Sequence, residues 1–290
     1  MEEKLGNHQE PITEPRIVSA EPIPLNELNE RAKRCRRSIV DMVHKAGAGH
    51  PGGSLSAIDL LVGLYSTQMS VSPDDANNGD RDRFVMSKGH ASPAVYSILH
   101  EMGFLSQSDL DGFRTMGSVC QGHVDMKWTN GVDFSAGSLG MGLSFGLGCA
   151  FAARLNEQDF HTWVMIGDGE TQEGQIWEAF MAASYHDIQN LHVIVDRNRI
   201  QNDDFVDVQM EIGDIANKIN SFGWSVKEID GHNMEHVVDA LSWAANTPGP
   251  NAIVAHTVKG KGVSFMEDNP SFHGKAPTDE ELSQALEELA

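Results

Sequence analysis

Two short polar segments carry side chains suited to binding a metal ion and an anion. Asp168 stands between two glycines in the segment GDG, and Asn198 stands in the polar segment DRNRIQN. A carboxylate and an amide oxygen, with main-chain carbonyls of the second turn, are hard oxygen ligands suited to Mg²⁺ or Ca²⁺. The glycines let backbone N–H groups approach an anion, and the N-terminus of a following helix favours the same charge. The segments therefore predict a divalent cation bridged to a diphosphate.

Glycine-rich loops in the preceding half of the chain present histidines. They are His50 in GAGHPGG, His90 in SKGH and His123 in QGH. A single loop histidine is more often structural than catalytic. Several of like placement favour a shared function, and an unperturbed pKa of about 6.5 suits histidine to proton transfer near neutrality.

The elements that must position these groups form a βαβ unit. Residues 163–166 and 192–195 are short apolar runs typical of buried parallel strands, and residues 175–185 have helical length and composition. Such a unit takes roughly 30 or more residues and is nearly always right-handed. Both polar turns then emerge at the carboxyl ends of their strands, where open α/β sheets bind ligands.

The remaining pattern extends the same sheet, so we predict an α/β fold with a mainly parallel sheet flanked by helices. Further strands are expected at 83–86, 225–229 and 252–257, and helices at 25–46, 57–65, 214–222, 233–245 and 279–290. Ser54 and Ser92 are expected to cap helices, and the basic residues of the first helix to be solvated or to face an interface. Proline-rich residues 1–24 suggest a flexible arm ahead of one domain at 25–290.

Composition narrows the function further. The chain has 290 residues and a net charge of -21, which argues against a nucleic-acid-binding surface. Three scattered cysteines are too few for a disulfide framework; we expect buried thiols and a reducing compartment. Neither a signal peptide nor a membrane-spanning run is evident, so a cytoplasmic location is expected.

The segment from Gly-Asp-Gly to Asn198 resembles the thiamine-diphosphate fingerprint. Within that class the chain resembles transketolase, specifically the amino-terminal, diphosphate-binding half that is a separate chain in split bacterial enzymes. The resemblance covers nearly everything after Leu25. It rests on AGAGHPGGSLSAIDLL, DRDRFVMSKGHASPAVYSIL, GSLGMGLSFGLG, GDGETQEGQIWEA and FHGKAPTDEEL, in this order.

The resemblance implies how the cofactor is held. Asp168, Asn198 and the main-chain carbonyl of Ile200 would bind Mg²⁺ or Ca²⁺ on the diphosphate of thiamine diphosphate. Gly169 and Glu170 would offer backbone contacts to the same group.

It also implies the contacts beyond the metal. His90 would touch the diphosphate end, and Gly137 and Leu139 would approach the aminopyrimidine and thiazolium rings. His123 would contact the terminal hydroxyl of the donor sugar.

Three further side chains have implied roles in proton movement. His50 and His273 would lie beside the hydroxyl that loses its proton as the carbon–carbon bond breaks. Glu173 matches a carboxylate in a chain of acids that links two active sites.

The implied activity is transfer of a two-carbon ketol unit from a ketose, or ketose phosphate, to an aldose. The glutamate that promotes ylide formation lies in the family's pyrimidine-binding domain, which we do not expect in this chain. A companion chain with the pyrimidine-binding and C-terminal domains is therefore expected, in a heterotetramer with two copies of each chain.

Three departures from the family pattern point to an altered substrate or a weakened activity. Met141 stands where glutamine is usual, Val124 follows His123 where proline is usual, and Asn202-Asp203-Asp204 lacks the usual Asp-Gly turn.

Two alternatives remain open from the sequence. Another thiamine-diphosphate enzyme, such as a 2-oxoacid dehydrogenase alpha chain or a deoxyxylulose phosphate synthase, is the nearest, although four histidines favour sugar chemistry. The other is a non-catalytic regulatory subunit, which Met141 supports and the intact Asp168 and Asn198 oppose.

Overall fold

A computed structural model describes residues 22–290, and its centre is a five-stranded parallel sheet. The strands run in the spatial order β1-β2-β3-β5-β4. Their bounds are β1 Arg83–Met86, β2 Thr162–Gly167, β3 Leu191–Arg197, β4 Ser225–Asp230 and β5 Asn251–His256. β2 and β3 pair directly, so the expected βαβ unit is present and its two polar turns emerge at one edge of the sheet.

Helices cover both faces of this sheet. The longer ones are α1 Leu25–Ala46, α2 Pro51–Thr67, α3 Ser92–Glu101, α5 Met141–Leu155, α6 Gly174–Tyr185, α9 Met234–Asn246 and α10 Asp279–Glu288. Shorter ones are α4 Gln107–Asp111, α7 Val206–Gln209 and α8 Ile215–Ser221. α1, α2, α3 and α9 pack in one core cluster, whereas α5, α6 and α8 pack in the other.

Alternation along the strands divides the core. Trp163 and Met165 point into the cluster beneath α2, and Val164 and Ile166 into the cluster beneath α5. Every residue of β2 is buried, because parallel strands covered on both faces exclude water from both sets of side chains. The predicted fold class is therefore confirmed.

Two predicted helix caps are wrong. α2 begins at Pro51, a favoured first helical residue, so Ser54 lies inside the helix and its hydroxyl donates to the carbonyl of His50 at 2.8 Å. Ser92 is likewise the first residue of α3, and its hydroxyl donates to the carbonyl of Gly122 at 3.0 Å. Ser54 therefore bonds within the first turn of α2, and Ser92 ties α3 to the loop at Gly122, so neither serine caps a helix end.

The expectation of a solvated basic face on α1 is wrong for Arg36. This side chain is buried and makes a two-point ion pair with Asp59 of α2. Arg34 follows the expectation, since it is exposed and pairs with Glu101.

The expected arm at residues 1–24 falls largely outside the described residues, which begin at 22. Among the cysteines, Cys35 and Cys120 are buried and Cys149 is partly so, close to the expectation of buried thiols. Within residues 22–290, no helix is both long and apolar enough to cross a membrane.

Candidate active site

A cavity of about 430 Å³ opens where the strands end. Loops after β1, β2, β3 and β5 all contribute to its wall. Every residue predicted for the site lines this one cavity: His50, His90, His123, Gly137, Leu139, Asp168, Gly169, Glu170, Glu173, Asn198, Ile200 and His273. Residues far apart in the chain are thus brought together as the sheet topology requires.

Asp168 is a buried carboxylate in the wall of the cavity. Its Oδ1 accepts from the N–H of Gly169 at 2.8 Å, and its Oδ2 accepts from the N–H of Arg199 at 2.7 Å. Burial, and then the nearby carboxylate of Asp196, raise the pKa of Asp168 to about 6. A buried carboxyl beside another acid favours binding of a cation, which would restore its ionised form.

Asn198 is oriented by its neighbours. Its Nδ2 donates to Ser56 Oγ at 3.2 Å and to Asp196 Oδ2 at 3.0 Å. The amide oxygen is therefore turned toward the loop, where it accepts a 3.2 Å hydrogen bond from Ile200 N–H and no other from residues 22–290. This arrangement leaves an oxygen with spare acceptor capacity in the cavity wall.

Asp196, which sequence reasoning missed, accepts the hydrogen bond that holds Asn198 in this orientation. It lies in β3, is fully buried, and accepts hydrogen bonds from Ser56, Thr257 and Asn198 and an ion pair from Lys88. These donors outweigh burial, which raises the pKa of a carboxyl, so the pKa of Asp196 is lowered. The buried Asp196 carboxylate therefore favours its ionised form.

Two buried lysines of the cavity were also missed. Lys88 Nζ donates to the carbonyl of Gly53 at 3.1 Å in addition to pairing with Asp196. Lys259 Nζ lies 2.7 Å from the carbonyl oxygen of Ile200 and 2.7 Å from Nδ1 of His273. Burial and the charge of Lys88 lower the pKa of Lys259 to about 7. The two amino groups place hydrogen-bond donors and positive charge in the cavity wall, a setting that suits an anion.

The histidines form a compact group at the cavity mouth. The ring centre of His50 lies 5.1 Å from that of His90, 5.3 Å from that of His273 and 6.4 Å from that of His123. Burial lowers the pKa of His50 to about 4 and that of His273 to about 3, with neighbouring cations adding to the effect. These rings are neutral near pH 7, and neutral imidazole can accept a proton.

A buried ring nitrogen of His50 stands out in this group. Nδ1 of His50 is buried and has no hydrogen-bond partner among residues 22–290. An orphaned buried nitrogen costs free energy unless a bound group satisfies it, so the atom fits a site built for a polar ligand.

The side chain of Glu170 accepts hydrogen bonds from other parts of the same chain. Its Oε1 accepts from Ser87 Oγ and from Gly140 N–H at 2.8 Å, and its Oε2 accepts from Gly167 N–H at 3.0 Å. Burial raises its pKa. The carboxyl group therefore fixes the glycine-rich loop that carries Gly137 and Leu139 against the end of β2.

The rim of the cavity faces outward. Leu139 is 40% exposed, and Glu173, the N-cap residue of α6, is also exposed. An added Cβ on Gly137 would meet no atom within 4 Å among the described residues, so this part of the wall is open.

A second, neighbouring cavity of about 370 Å³ extends from the histidines. It shares His50, Asn202 and His273 with the first and adds Asp203 and Ser271. A hydroxyl, an amide and one carboxylate make it suited to polar, uncharged groups. Val124 lies elsewhere, buried in the core, so this departure from the family pattern does not face the cavity.

The donor set determines which metal fits. Within residues 22–290 no cluster of three or more His, Cys, Asp or Glu side chains is arranged to hold a metal. Asp168, the Asn198 amide and the Ile200 carbonyl instead offer one charge and neutral oxygens. This set suits Mg²⁺, which commonly takes one or two carboxylates and completes its shell with phosphate oxygens.

Comparison with known proteins identifies what this architecture resembles. Residues 28–290 match the family model described as transketolase, thiamine diphosphate binding domain. An apulose-4-phosphate transketolase subunit of Phocaeicola vulgatus is 39% identical, with 91% of this chain and 94% of that protein covered. A 6-deoxy-6-sulfo-D-fructose transketolase subunit of a Clostridium species is 37% identical, with coverages of 91% and 96%.

Solved structures give the same match. The crystal structure of transketolase from Campylobacter jejuni superposes with a TM-score of 0.88 at 33% identity, covering 92% of this chain and 43% of that one. The chain likewise spans 42% of the length of human transketolase, to which it is 34% identical.

Proposed function

The chain belongs to the transketolase family, and we infer that it is the thiamine-diphosphate-binding subunit of a split transketolase. Such an enzyme transfers a two-carbon ketol unit from a ketose or ketose phosphate to an aldose. The observation that carries this proposal is the convergence of four histidines and the Asp168–Asn198 pair on one cavity. The relatives described above are transketolases, which argues against a 2-oxoacid dehydrogenase, a deoxyxylulose phosphate synthase and a regulatory subunit.

Asp168, the amide oxygen of Asn198 and the carbonyl of Ile200 are proposed to hold Mg²⁺ or Ca²⁺ on the cofactor diphosphate. The Ile200 carbonyl accepts a hydrogen bond from Lys259 Nζ at 2.7 Å, and its second lone pair is available to a cation. Gly169 offers its backbone, and His90 and the two lysines lie where they can contact the diphosphate. Buried positive charges of this kind are strong partners for phosphate oxygens.

When bound, thiamine diphosphate supplies a thiazolium ring that acts as an electron sink. The residues of this chain orient the substrate and move protons. His50 and His273, both neutral at pH 7, are proposed to lie beside the donor hydroxyl that loses its proton as the carbon–carbon bond breaks, with His50 as the proton acceptor. His123 is proposed to bind the terminal hydroxyl of the donor. Lys259 holds Nδ1 of His273 as an acceptor, which leaves the proton on Nε2.

A companion chain is proposed to supply the pyrimidine-binding and C-terminal domains, in a heterotetramer with two copies of each chain. Two of the relatives described above are themselves named as subunits, and full-length transketolases are more than twice as long as the matched region. Leu139, Met141 and Met181 are 40%, 44% and 56% exposed and form apolar spots on α5, α6 and the rim between them. Glu173 would meet the companion there. A cytoplasmic location stays a prediction.

Substrates are proposed to be sugars or sugar phosphates. The names of the two subunit relatives refer to a sugar phosphate and to a sulfosugar, so the family accepts different anionic ends. In this chain Asn202 and Asp203 line the second cavity, called the outer cavity below. They are the residues through which substrate choice would differ.

The test is reconstitution. The chain is co-purified with a companion chain that carries the pyrimidine-binding domain, and ketol transfer is measured from hydroxypyruvate to a panel of aldoses with thiamine diphosphate and Mg²⁺. We expect turnover by the pair and none by either chain alone. Full turnover by this chain alone, or none by the reconstituted pair on any aldose, would overturn the proposal.

A further inference from the structure

A largely buried polar network lies outside the residues that line the two cavities. We call it the Asp59 network; its members are Arg36 of α1, Asp59 of α2 and His232 of the turn after β4. Arg36 Nη1 donates to Asp59 Oδ1 at 2.9 Å and Nη2 to Oδ2 at 2.5 Å. His232 Nδ1 lies 2.7 Å from Asp59 Oδ2. None of the three lines either cavity.

The network has a defined hydrogen-bonding direction. Val258 N–H donates to His232 Nε2 at 2.8 Å, so Nε2 must present a lone pair. The ring proton is therefore on Nδ1 and is donated to Asp59. Burial alone raises the pKa of a carboxyl, but Arg36 and His232 outweigh it and the pKa of Asp59 is lowered. Asp59 is thus an ionised acceptor that fixes both neighbours.

Both neighbours hold the backbone on either side of Lys259. His232 binds the N–H of Val258, and Arg36 Nε donates to the carbonyl of Lys261 at 3.1 Å. The residues in between turn sharply, with Gly260 at φ 83°. A segment held at both ends can project its central side chain in only one direction.

The path of the Lys259 side chain is narrow. Lys259 is 2% exposed, and a Cβ added to Gly52 would lie 3.1 Å from Lys259 Cγ. Gly260 N–H donates to the carbonyl of Gly52 at 3.0 Å, which holds the segment against the start of α2. A small shift of the segment would therefore move the ammonium away from Ile200 and His273.

We propose that Arg36, Asp59 and His232 are positioning residues that orient Lys259 toward the diphosphate of the cofactor and toward His273. The inference rests on the proposed cofactor site, but the network itself is a property of the chain without cofactor. Its effect would be on affinity for the diphosphate, because the lysine contributes charge to that group and the network contributes none to the cavity.

The test compares three variants of the full chain. His232→Ala removes both hydrogen bonds. His232→Gln keeps an oxygen that can accept from Val258 and an N–H that can donate to Asp59. Asp133→Asn is the matched control: Asp133 makes a comparable two-point ion pair with Arg81, partly buried and away from both cavities.

Two readouts separate positioning from stability. In the isolated chain without cofactor, hydrogen exchange of the backbone amides at 258–261 should become at least about tenfold faster in His232→Ala and recover in His232→Gln. In the reconstituted complex, affinity for thiamine diphosphate should fall roughly tenfold in His232→Ala, as for residues that support a binding group from behind, and recover in His232→Gln. Asp133→Asn should lower the melting temperature without changing either readout.

The possible failures are distinguishable. A wild-type complex that does not bind thiamine diphosphate overturns the proposed function. Hydrogen exchange in the isolated chain still tests whether the Asp59 network holds residues 258–261. Unchanged exchange and affinity in His232→Ala, or an equal loss of affinity in Asp133→Asn, overturns the positioning role.

Discussion

The backbone N–H of Arg199 donates a hydrogen bond to Oδ2 of Asp168 at a distance of 2.7 Å. This bond joins the turn after β3 to the turn after β2. Arg199 has φ 63°, in the left-handed region that is costly for a residue other than glycine. The hydrogen bond helps to hold this conformation. The carboxylate therefore has two roles: it shapes the turn that carries Ile200, and it offers charge to a cation.

Replacing Asp168 by asparagine should impair both roles. The charge is lost, and an amide N–H₂ turned toward Arg199 N–H would repel it. We expect Mg²⁺-dependent affinity of the reconstituted complex for thiamine diphosphate to fall about 100-fold, at the upper end for metal-site substitutions. Calorimetric titration with and without chelator measures this. Asp214→Asn, which changes an exposed helix cap of α8, is the control. Unchanged affinity in Asp168→Asn would contradict the metal assignment.

Replacing His90 by glutamine should change how stability depends on pH. Burial, with nearby cations, holds the pKa of His90 well below its usual value of about 6.5. The unfolded chain therefore binds a proton below pH 6.5 that the folded chain does not, and stability falls as pH decreases through this window. In the variant, the slope of the free energy of unfolding against pH should be smaller by up to about 1.4 kcal/mol per pH unit.

Urea unfolding of the isolated chain at about pH 7.5 and pH 5 provides the measurement. His256→Gln is the matched control for a histidine-to-glutamine change, because His256 is exposed and lies outside the cavity. A slope for His90→Gln that equals that of wild type would show that the ring is protonated freely in the folded state.

Two glycines of α5 provide a matched pair for packing. A Cβ on Gly146 would lie 2.4 Å from Val164 Cγ2 in β2, whereas one on Gly148 would meet nothing within 4 Å among the described residues. Gly146→Ala should therefore destabilise the isolated chain by about 1–3 kcal/mol through overpacking. Gly148→Ala should stabilise it by up to about 1 kcal/mol, because alanine favours helix. Equal free energies of unfolding for both variants would refute this account of how α5 approaches the sheet.

Asp203 should discriminate against phosphate in the outer cavity. Its carboxylate lines this cavity, where the pKa values of His50 and His273 are lowered and both rings are neutral. Asp203→Asn should raise kcat/KM for phosphorylated substrates relative to neutral ones about two- to threefold at low salt, and less at high salt. Ser271→Ala, which alters the same wall without a charge change, is the control. A ratio that does not respond to Asp203→Asn or to salt would exclude an electrostatic role.

The sheet was predictable because its strands are buried on both faces. Residues 163–166 and 192–195 stand as continuous apolar runs, and the structure extends the first by two residues to form β2 and the second by three to form β3. The turn residues Asp168 and Asn198 were predictable for the same reason, since the ends of neighbouring parallel strands meet. Local pattern and topology agree there.

The buried cations were not predictable from local pattern. Lys88, Lys259 and Arg36 occur among polar or basic neighbours, where a lysine or arginine is usually solvated. Their burial depends on acceptors far away in sequence, such as Asp196 for Lys88 and Asp59 for Arg36. Pairing across the fold decides these positions, and a single sequence shows only the separate partners.

Because four strand ends and the segment near His273 all contribute to the cavity wall, no fragment of the domain can present the site. Contacts of such large separation in sequence form late and slowly during folding. A ligand that recognises this assembly binds only the completed domain and raises its stability by mass action. Retention of thiamine diphosphate would therefore be linked thermodynamically to completion of the fold, since a chain that has not finished folding lacks the assembled cavity wall.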